Sequence, residues 1–190
     1  MVQFSRKAVQ ALKAYGADGS IVAGLIVLDV IARLLPHAPN FTPVAASALF
    51  AATVLRRRTL ALAVPFLGMA LSDAVLGSDA WPVTVVVYAA IALPGAVAVV
   101  SRRLRAPAWR VPVILSGSLV FFAATNFAVW AFSGIYAGDL AGLTKCYIAA
   151  LPFLKNTVGG DLFWAAILFG GAWLARRAPA WRGRETAAVA

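Results

Sequence analysis

The sequence has little charge and few of the residues on which most enzymes depend. Only 13% of its 190 residues are charged, whereas a typical soluble domain has about 25%. One cysteine excludes an internal disulfide, and one histidine with one cysteine cannot form a zinc site of the usual spacing. The sequence also has no Gly-x-Ser-x-Gly motif, phosphate-binding loop or dinucleotide fingerprint. We therefore predict that the protein is not an enzyme and that it uses no metal and no cofactor.

Apolar residues, in contrast, make up 62% of the chain. They fall in blocks of roughly 14 to 24 residues, a length that suits a hydrocarbon core about 30 Å thick. This predicts an integral membrane protein, with the lipid bilayer as its first partner. The net charge of +10 does not indicate a nucleic-acid partner, because the basic residues lie in several short loops that all fall on one side.

The chain is organised around a proline-rich stretch, residues 36–43, which reads Pro-His-Ala-Pro-Asn-Phe-Thr-Pro and lies between two apolar segments. Proline lacks a backbone donor and restricts the residue before it, so three prolines in this stretch exclude a helix. The pattern predicts a fixed corner at a membrane face. Thr42 followed by Pro43 is typical of an N-cap with proline at the first helical position, so a helix is expected to start there.

Hydrophobic blocks and turn signals predict an all-α bundle of six transmembrane helices. The first is expected to be retained rather than cleaved as a signal sequence. The predicted helices cover residues 19–35, 42–55, 60–76, 81–100, 109–133 and 158–174. A short surface or re-entrant helix is predicted over 139–151, ended by Pro152. The resulting organisation is a basic segment over 1–18, a transmembrane domain over 19–175 and a polar tail over 176–190.

The distribution of Lys and Arg predicts the orientation of this bundle. Fourteen of the 17 basic residues fall in the N-terminal segment, the loop between helices 2 and 3, the loop between helices 4 and 5, and the tail. The positive-inside rule then places both termini in the cytoplasm. The corner at residues 36–43 would lie on the outer face.

Polar residues gather in the outer halves of the predicted helices and in the outer connections, whereas the inner halves are almost purely aliphatic. Polar groups at membrane depth are costly unless they pair or face a cavity. We therefore predict a pocket open to the outside, and an aliphatic interior below it that offers no polar path for a channel. The candidate substrate-binding residues are His37, Asn40, Asp73, Asn126, Trp130, Tyr147, Asn156 and Asp161.

Structural roles remain open for these residues. Asp29 and Arg33, at i and i+4, are predicted to form an ion pair on one helix face. His37 and Asn40 could satisfy the backbone of their own turn, and Trp130 fits an interfacial aromatic belt. Asp161 follows two glycines at a predicted helix start, where a carboxylate complements the helix dipole.

The corner and several later motifs resemble a bacterial membrane family of unknown function. The residues that carry the resemblance are 35–44, 48–50, 71–73, 126–130, 142–143, 146–147, 151–153, 156–157 and 160–161. That family is similar to the S-components of energy-coupling factor transporters, six-helix subunits that capture vitamins and related micronutrients. The resemblance implies a location in the bacterial inner membrane, cytoplasmic termini and an outer pocket formed by the loops between helices 1 and 2, 3 and 4, and 5 and 6.

The leading hypothesis is therefore a substrate-capture subunit for a small vitamin-like or cofactor-precursor molecule. S-components often carry an Ala-x-x-x-Ala pair on helix 1 for docking on an energising module, and here Gly24 and Leu28 stand at that spacing. A solitary transporter and a non-transporting accessory subunit of a larger membrane complex thus remain alternatives. The third hypothesis is a membrane enzyme that uses Asp and His.

Overall fold

The computed structural model describes residues 6–101 and 103–188, and over that part of the chain it contains helices and no strand. For 6–15 and 178–188 it describes only the backbone; Arg102 and residues 1–5 of the predicted basic segment lie outside the described residues. The α-helices are α1 (Arg6–Leu34), α2 (Val44–Val54), α3 (Ala63–Leu76), α4 (Trp81–Val100), α5 (Pro107–Phe132) and α6 (Leu140–Ala188). Short 3-10 helices at Arg58–Leu62 and Arg103–Arg105 precede α3 and α5. The all-α prediction is confirmed.

The middle of the chain follows the sequence prediction closely. Helix α4 begins at Trp81 and ends at Val100, as predicted, and α3 ends at the predicted residue, Leu76. Helix α5 begins at Pro107, slightly earlier than predicted. A proline is well accommodated there, because the first-turn N–H that it lacks would have no partner within the helix.

The short helix α2 lies at the centre of the bundle. It packs against α1, α3, α4, α5 and α6, and most of its residues are buried. Its 11 residues span only about 16 Å, because an α-helix rises 1.5 Å per residue. The predicted N-cap at Thr42 is wrong: Pro43 occupies the cap position, no side chain caps the helix, and the Pro43 carbonyl accepts the N–H of Ser47 at 2.7 Å.

The predicted helix break at Pro152 is also wrong. Helix α6 begins after Asp139, whose Oδ1 accepts the N–H of Gly142 at 2.7 Å, and it continues without interruption to Ala188. Pro152 costs the helix one hydrogen bond, but α4 and α5 likewise contain Pro94 and Pro112. Helices in apolar surroundings tolerate internal prolines because neighbouring groups compensate for the lost bond. The predicted short surface or re-entrant helix is therefore the first part of α6.

The predicted segment boundaries near both termini fall inside helices. Helix α1 runs through residues 18 and 19, and α6 runs through residues 175 and 176. Asp18 is buried, and its carboxylate accepts the backbone N–H groups of Arg56 at 3.3 Å and Arg57 at 3.1 Å. This contact ties α1 to the α2–α3 connection, so Asp18 belongs to the bundle.

The lengths and surfaces of the helices are consistent with a membrane protein. Four helical segments of the described chain are long and apolar enough to cross a membrane: Arg58–Leu76, Trp81–Val100, Pro107–Phe132 and Leu140–Arg177. Large apolar side chains also lie on the outside of the bundle, with Val75 71%, Trp81 78% and Val100 87% exposed. Apolar patches of this kind mark surfaces that contact a membrane or another protein.

Candidate functional site

A cavity of about 600 Å³ lies at the end of the bundle where the α1–α2 corner meets the α3–α4 turn. Its rim includes corner residues and residues 77–79, whereas Pro94, Gly117 and Asp161, in the middle of α4, α5 and α6, form its floor. The lining of α4 extends from Val83 to Pro94, which corresponds to about 16 Å along the helix axis. The cavity therefore reaches deep into the bundle.

Five of the eight predicted substrate-binding residues line this cavity. They are His37 and Asn40 from the corner, Asp73 from α3, Asn126 from α5 and Asp161 from α6. The fold thus brings these five residues together around one cavity.

The corner presents its polar groups on a defined backbone. The N–H of Phe41 donates to the carbonyl of Ala38 at 3.0 Å, and Asn40 has a φ of +63°. Pro39 followed by a residue of positive φ is the pattern of a type II turn, and asparagine tolerates this conformation better than most residues. His37 Nδ1 lies 2.6 Å from the carbonyl of Leu35. Because a carbonyl can only accept, Nδ1 carries a proton.

Close packing against α6 holds the corner in place. The ring of Phe41 lies 5.4 Å from that of Phe163, measured between centroids. A Cβ placed on Gly160 would lie 2.9 Å from the Cα of Phe41, closer than real side chains allow. The glycine therefore permits the corner backbone to lie directly on α6, one turn from Phe163 and next to Asp161.

An ionic network links three helices along the cavity wall. The guanidinium of Arg33 forms an ion pair with Asp73 Oδ1, and Tyr88 Oη donates to Asp73 Oδ2 at 2.9 Å. A second guanidinium nitrogen of Arg33 contacts the sulfur of Met69. Both oxygens of Asp73 are thus engaged, and α1, α3 and α4 are joined at the level of the cavity.

This network replaces the predicted ion pair between Asp29 and Arg33. Asp29 is fully buried, and its Oδ1 accepts the hydroxyl of Ser47 at 2.8 Å. Its Oδ2 has no hydrogen-bond partner among the described residues. Gly68 of α3 lies against it, since a Cβ on this glycine would be 2.9 Å from the Cβ of Asp29. Arg33 instead reaches across to α3.

The floor of the cavity carries a second buried carboxyl group. Asp161 is 5% exposed, and its Oδ2 accepts the hydroxyl of Ser118 at 2.6 Å. Beside it, Gly117 lies against Pro94, and both residues contribute to the floor. Asp161 lies in mid-helix here, so a helix N-terminus does not account for it as the sequence had suggested.

The α5 wall combines an amide with aromatic rings. The side-chain NH₂ of Asn126 donates to the carbonyl of Phe122, one turn back, at 2.8 Å. This bond orients the amide and leaves its oxygen as an acceptor. Phe121 and Phe122 line the cavity with it, as does Phe153 of α6. The wall can therefore accept a hydrogen bond and contact a flat apolar group.

The other three predicted residues, Trp130, Tyr147 and Asn156, do not line the cavity. Trp130 Nε1 donates to the carbonyl of Ala137 at 2.9 Å, and Tyr147 Oη donates to the carbonyl of Ala123 at 2.6 Å. These contacts fix the α5–α6 connection and the first turns of α6. Of the connection predicted between helices 5 and 6, only the last part lines the cavity, through Phe153, Leu154 and Thr157, and these residues lie within α6.

Sequence reasoning missed Tyr88 and Ser118, and it counted Thr125 among the polar residues in the outer half of helix 5 without making it a candidate. The first was detectable, because Thr84 and Tyr88 are spaced i, i+4 in an otherwise apolar α4 and share a face. Ser118 and Thr125 are spaced by seven residues, about two turns, which also places them on one face of α5. Serine and threonine hydroxyls in an apolar helix usually bond to the backbone, so composition alone gave no reason to expect Ser118 to bind the buried carboxyl group of Asp161.

Within the described residues, no group of three or more His, Cys, Asp or Glu side chains is arranged to hold a metal ion. Neither the curated proteins nor the solved structures include a match to this chain. A family model described as a family of unknown function, DUF6580, matches residues 15–182. That range includes every residue of the cavity, and the chain belongs to the DUF6580 family.

Proposed function

We propose that this protein is an integral membrane protein that captures a small molecule in its cavity, in the manner of the S-components of energy-coupling factor transporters. The observation that carries the proposal is the cavity itself. Its volume of about 600 Å³ lies within the range of small-molecule sites, which combine apolar walls with a few placed polar groups. A vitamin-like or cofactor-precursor molecule fits this volume.

The surface of the bundle supports a location in a membrane. Helix α4, with 20 mostly apolar residues, is about 30 Å long, which equals the thickness of a hydrocarbon core. The exposed apolar side chains on α3 and α4 would be unfavourable in water but favourable against lipid tails.

The positions of the arginines support an outward-facing cavity. Arg56, Arg57 and Arg58 follow α2, and Arg103 and Arg105 follow α4, both at the end of the bundle away from the cavity. There, Arg110 lies 4.2 Å from the ring centre of Phe169, and Arg177 lies 4.0 Å from that of Trp173. By the positive-inside rule this end faces the cytoplasm of a bacterial cell, and the cavity faces outward.

The interior below the cavity supports capture rather than passive conduction. Leu49, Leu55, Val64, Ala98 and Ile114 are buried together in one apolar core cluster. A polar solute would have to pass through packed side chains there. Transport of a captured molecule therefore requires movement of the bundle, and an energising module in the same membrane is the partner expected to drive it.

Native mass spectrometry of the protein, purified in mild detergent from its own host, tests the proposal. We expect a retained small molecule of defined mass. Asn126→Ala removes the acceptor on the α5 wall and should reduce retention about fivefold, since one hydrogen bond contributes about 1 kcal/mol. Asn156→Ala is the matched control, because Asn156 does not line the cavity.

Retention that is equally affected by both substitutions would contradict the proposed site. Protein that is recovered without any small molecule, but with a stoichiometric protein partner, would instead support an accessory subunit of a membrane complex.

A further inference from the structure

The charges around the cavity are unbalanced. Its lining includes three carboxyl side chains, Asp73, Asp79 and Asp161, and one guanidinium, Arg33. Arg33 is paired with Asp73, and the second oxygen of Asp73 accepts from Tyr88. The internal pair therefore leaves no guanidinium for an anionic ligand, whereas two carboxyl groups remain for a cationic one.

Asp161 is the more informative of these two groups because of its position at the floor. Only 5% of its surface is exposed. Among the described residues, only the hydroxyl of Ser118 donates a hydrogen bond to its carboxyl group. None of the described Lys, Arg or His side chains forms an ion pair with it. A buried carboxylate without a cation is costly, since removal from water disfavours the charge.

The walls above Asp161 suit the remainder of a cationic ligand. Phe121, Phe122 and Phe153 present aromatic rings, and Tyr88 adds a fourth on the opposite wall. Aromatic faces attract ammonium groups as well as flat apolar groups. The Asn126 amide oxygen provides an acceptor between mouth and floor.

We propose that the cavity selects small molecules with a positively charged nitrogen attached to an aromatic or apolar body, and that Asp161 receives this nitrogen. The inference rests on the proposed capture function and names its substrate class. Each part of the site then contacts one part of the ligand. The aromatic rings hold the body of the ligand, the Asn126 oxygen accepts a hydrogen bond from it, and the cationic nitrogen lies at the floor.

Three probes that share an indole ring test the charge preference: tryptamine is a cation, tryptophol is its neutral hydroxyl counterpart, and indole-3-acetate is an anion. Their binding to the purified full chain can be measured by saturation-transfer NMR in detergent. We expect tryptamine to bind at least tenfold more tightly than tryptophol, and indole-3-acetate to bind most weakly. This comparison uses the unaltered protein and does not depend on any variant folding.

Asp161→Asn then tests the residue, because the amide has nearly the same shape and keeps an oxygen for the Ser118 hydroxyl. It should abolish the preference for tryptamine and leave tryptophol binding unchanged. Asp139→Asn, outside the cavity, makes the same chemical change and should retain the preference. A preference that survives Asp161→Asn would overturn the role of Asp161.

The failures of the two proposals are distinguishable. Tighter binding of tryptophol or indole-3-acetate, or a molecule retained from the host that has no basic nitrogen, would overturn the charge preference and leave the capture function intact. If none of the probes binds and native mass spectrometry shows no retained molecule, the capture function itself is overturned, and the inference with it.

Discussion

At the scale of single residues, Asp73 of α3 joins three helices of the cavity wall, because one of its oxygens binds Arg33 of α1 and the other binds Tyr88 of α4. Asp73→Asn removes its charge and leaves the partly buried Arg33 without a counter-ion. Because an unpaired charge away from water is costly, we expect a loss of about 2 kcal/mol in the free energy of unfolding. Thermal unfolding in detergent, followed by circular dichroism, measures the change.

The Arg33→Gln variant and the double variant Arg33→Gln/Asp73→Asn complete the cycle. If the two charges interact, the double variant should lose less stability than the two single losses combined. Additive losses would show that the ion pair does not contribute to the stability of the wall.

The partners of Asp29 and Arg33 show what residue spacing can predict. Their i, i+4 spacing placed them on adjacent turns of α1, which is correct, and it suggested a local pair. The observed partner of Arg33 lies 40 residues away on α3, and that of Asp29 lies 18 residues away on α2. Spacing within one helix identifies a shared face, but it carries no information about what packs on that face.

At the scale of elements, two adjacent glycines of α6 make different contacts. Gly160 lies against the backbone of Phe41, whereas a Cβ on Gly159 would meet nothing within 4 Å. Gly160→Ala should therefore displace the corner and lower the free energy of unfolding by about 1–3 kcal/mol, the usual cost of overpacking. Gly159→Ala should be neutral or stabilising by up to about 1 kcal/mol, because alanine favours helix.

The same unfolding assay compares these two variants directly. Ligand retention provides a second measurement, since a displaced corner moves His37 and Asn40 at the cavity rim. Equal stability of both variants would show that the corner does not rest on α6 as described.

Element boundaries were predictable where turn chemistry and apolar length agreed. The two signals agree for α4, whose apolar stretch starts next to a proline and ends before an arginine-rich loop. The two signals conflict in α6, where Pro152 and the polar residues near it indicated a break, yet the helix continues. The Asp139 cap stabilises its first turn locally, and the hydrogen bond from Tyr147 to the carbonyl of Ala123 attaches it to α5.

At the scale of the whole molecule, the one-sided distribution of polar residues predicted the cavity better than any single residue did. The expectation of a pocket between the 1–2 and 3–4 connections agrees with the lining from the corner and residues 77–79. The sequence did not indicate that α2 is central, because a short helix that is apolar on almost every side is equally suited to lipid contact and to burial. Only the packing of the other five α-helices around it distinguishes the two.

Labelling of introduced cysteines tests the orientation on which the function depends. In a Cys146→Ala background, Ser78→Cys places a thiol at the exposed cavity rim, and Thr59→Cys places one at the exposed arginine-rich end. A membrane-impermeant maleimide applied to intact cells should label residue 78 and spare residue 59 until the membrane is permeabilised, because the positive-inside rule predicts that the arginine-rich end faces the cytoplasm. Both thiols should react in detergent-solubilised protein, which controls for local access. Labelling of residue 59 alone would place the cavity in the cytoplasm, where it could not capture an external molecule; labelling of both in intact cells would contradict the membrane-spanning arrangement itself.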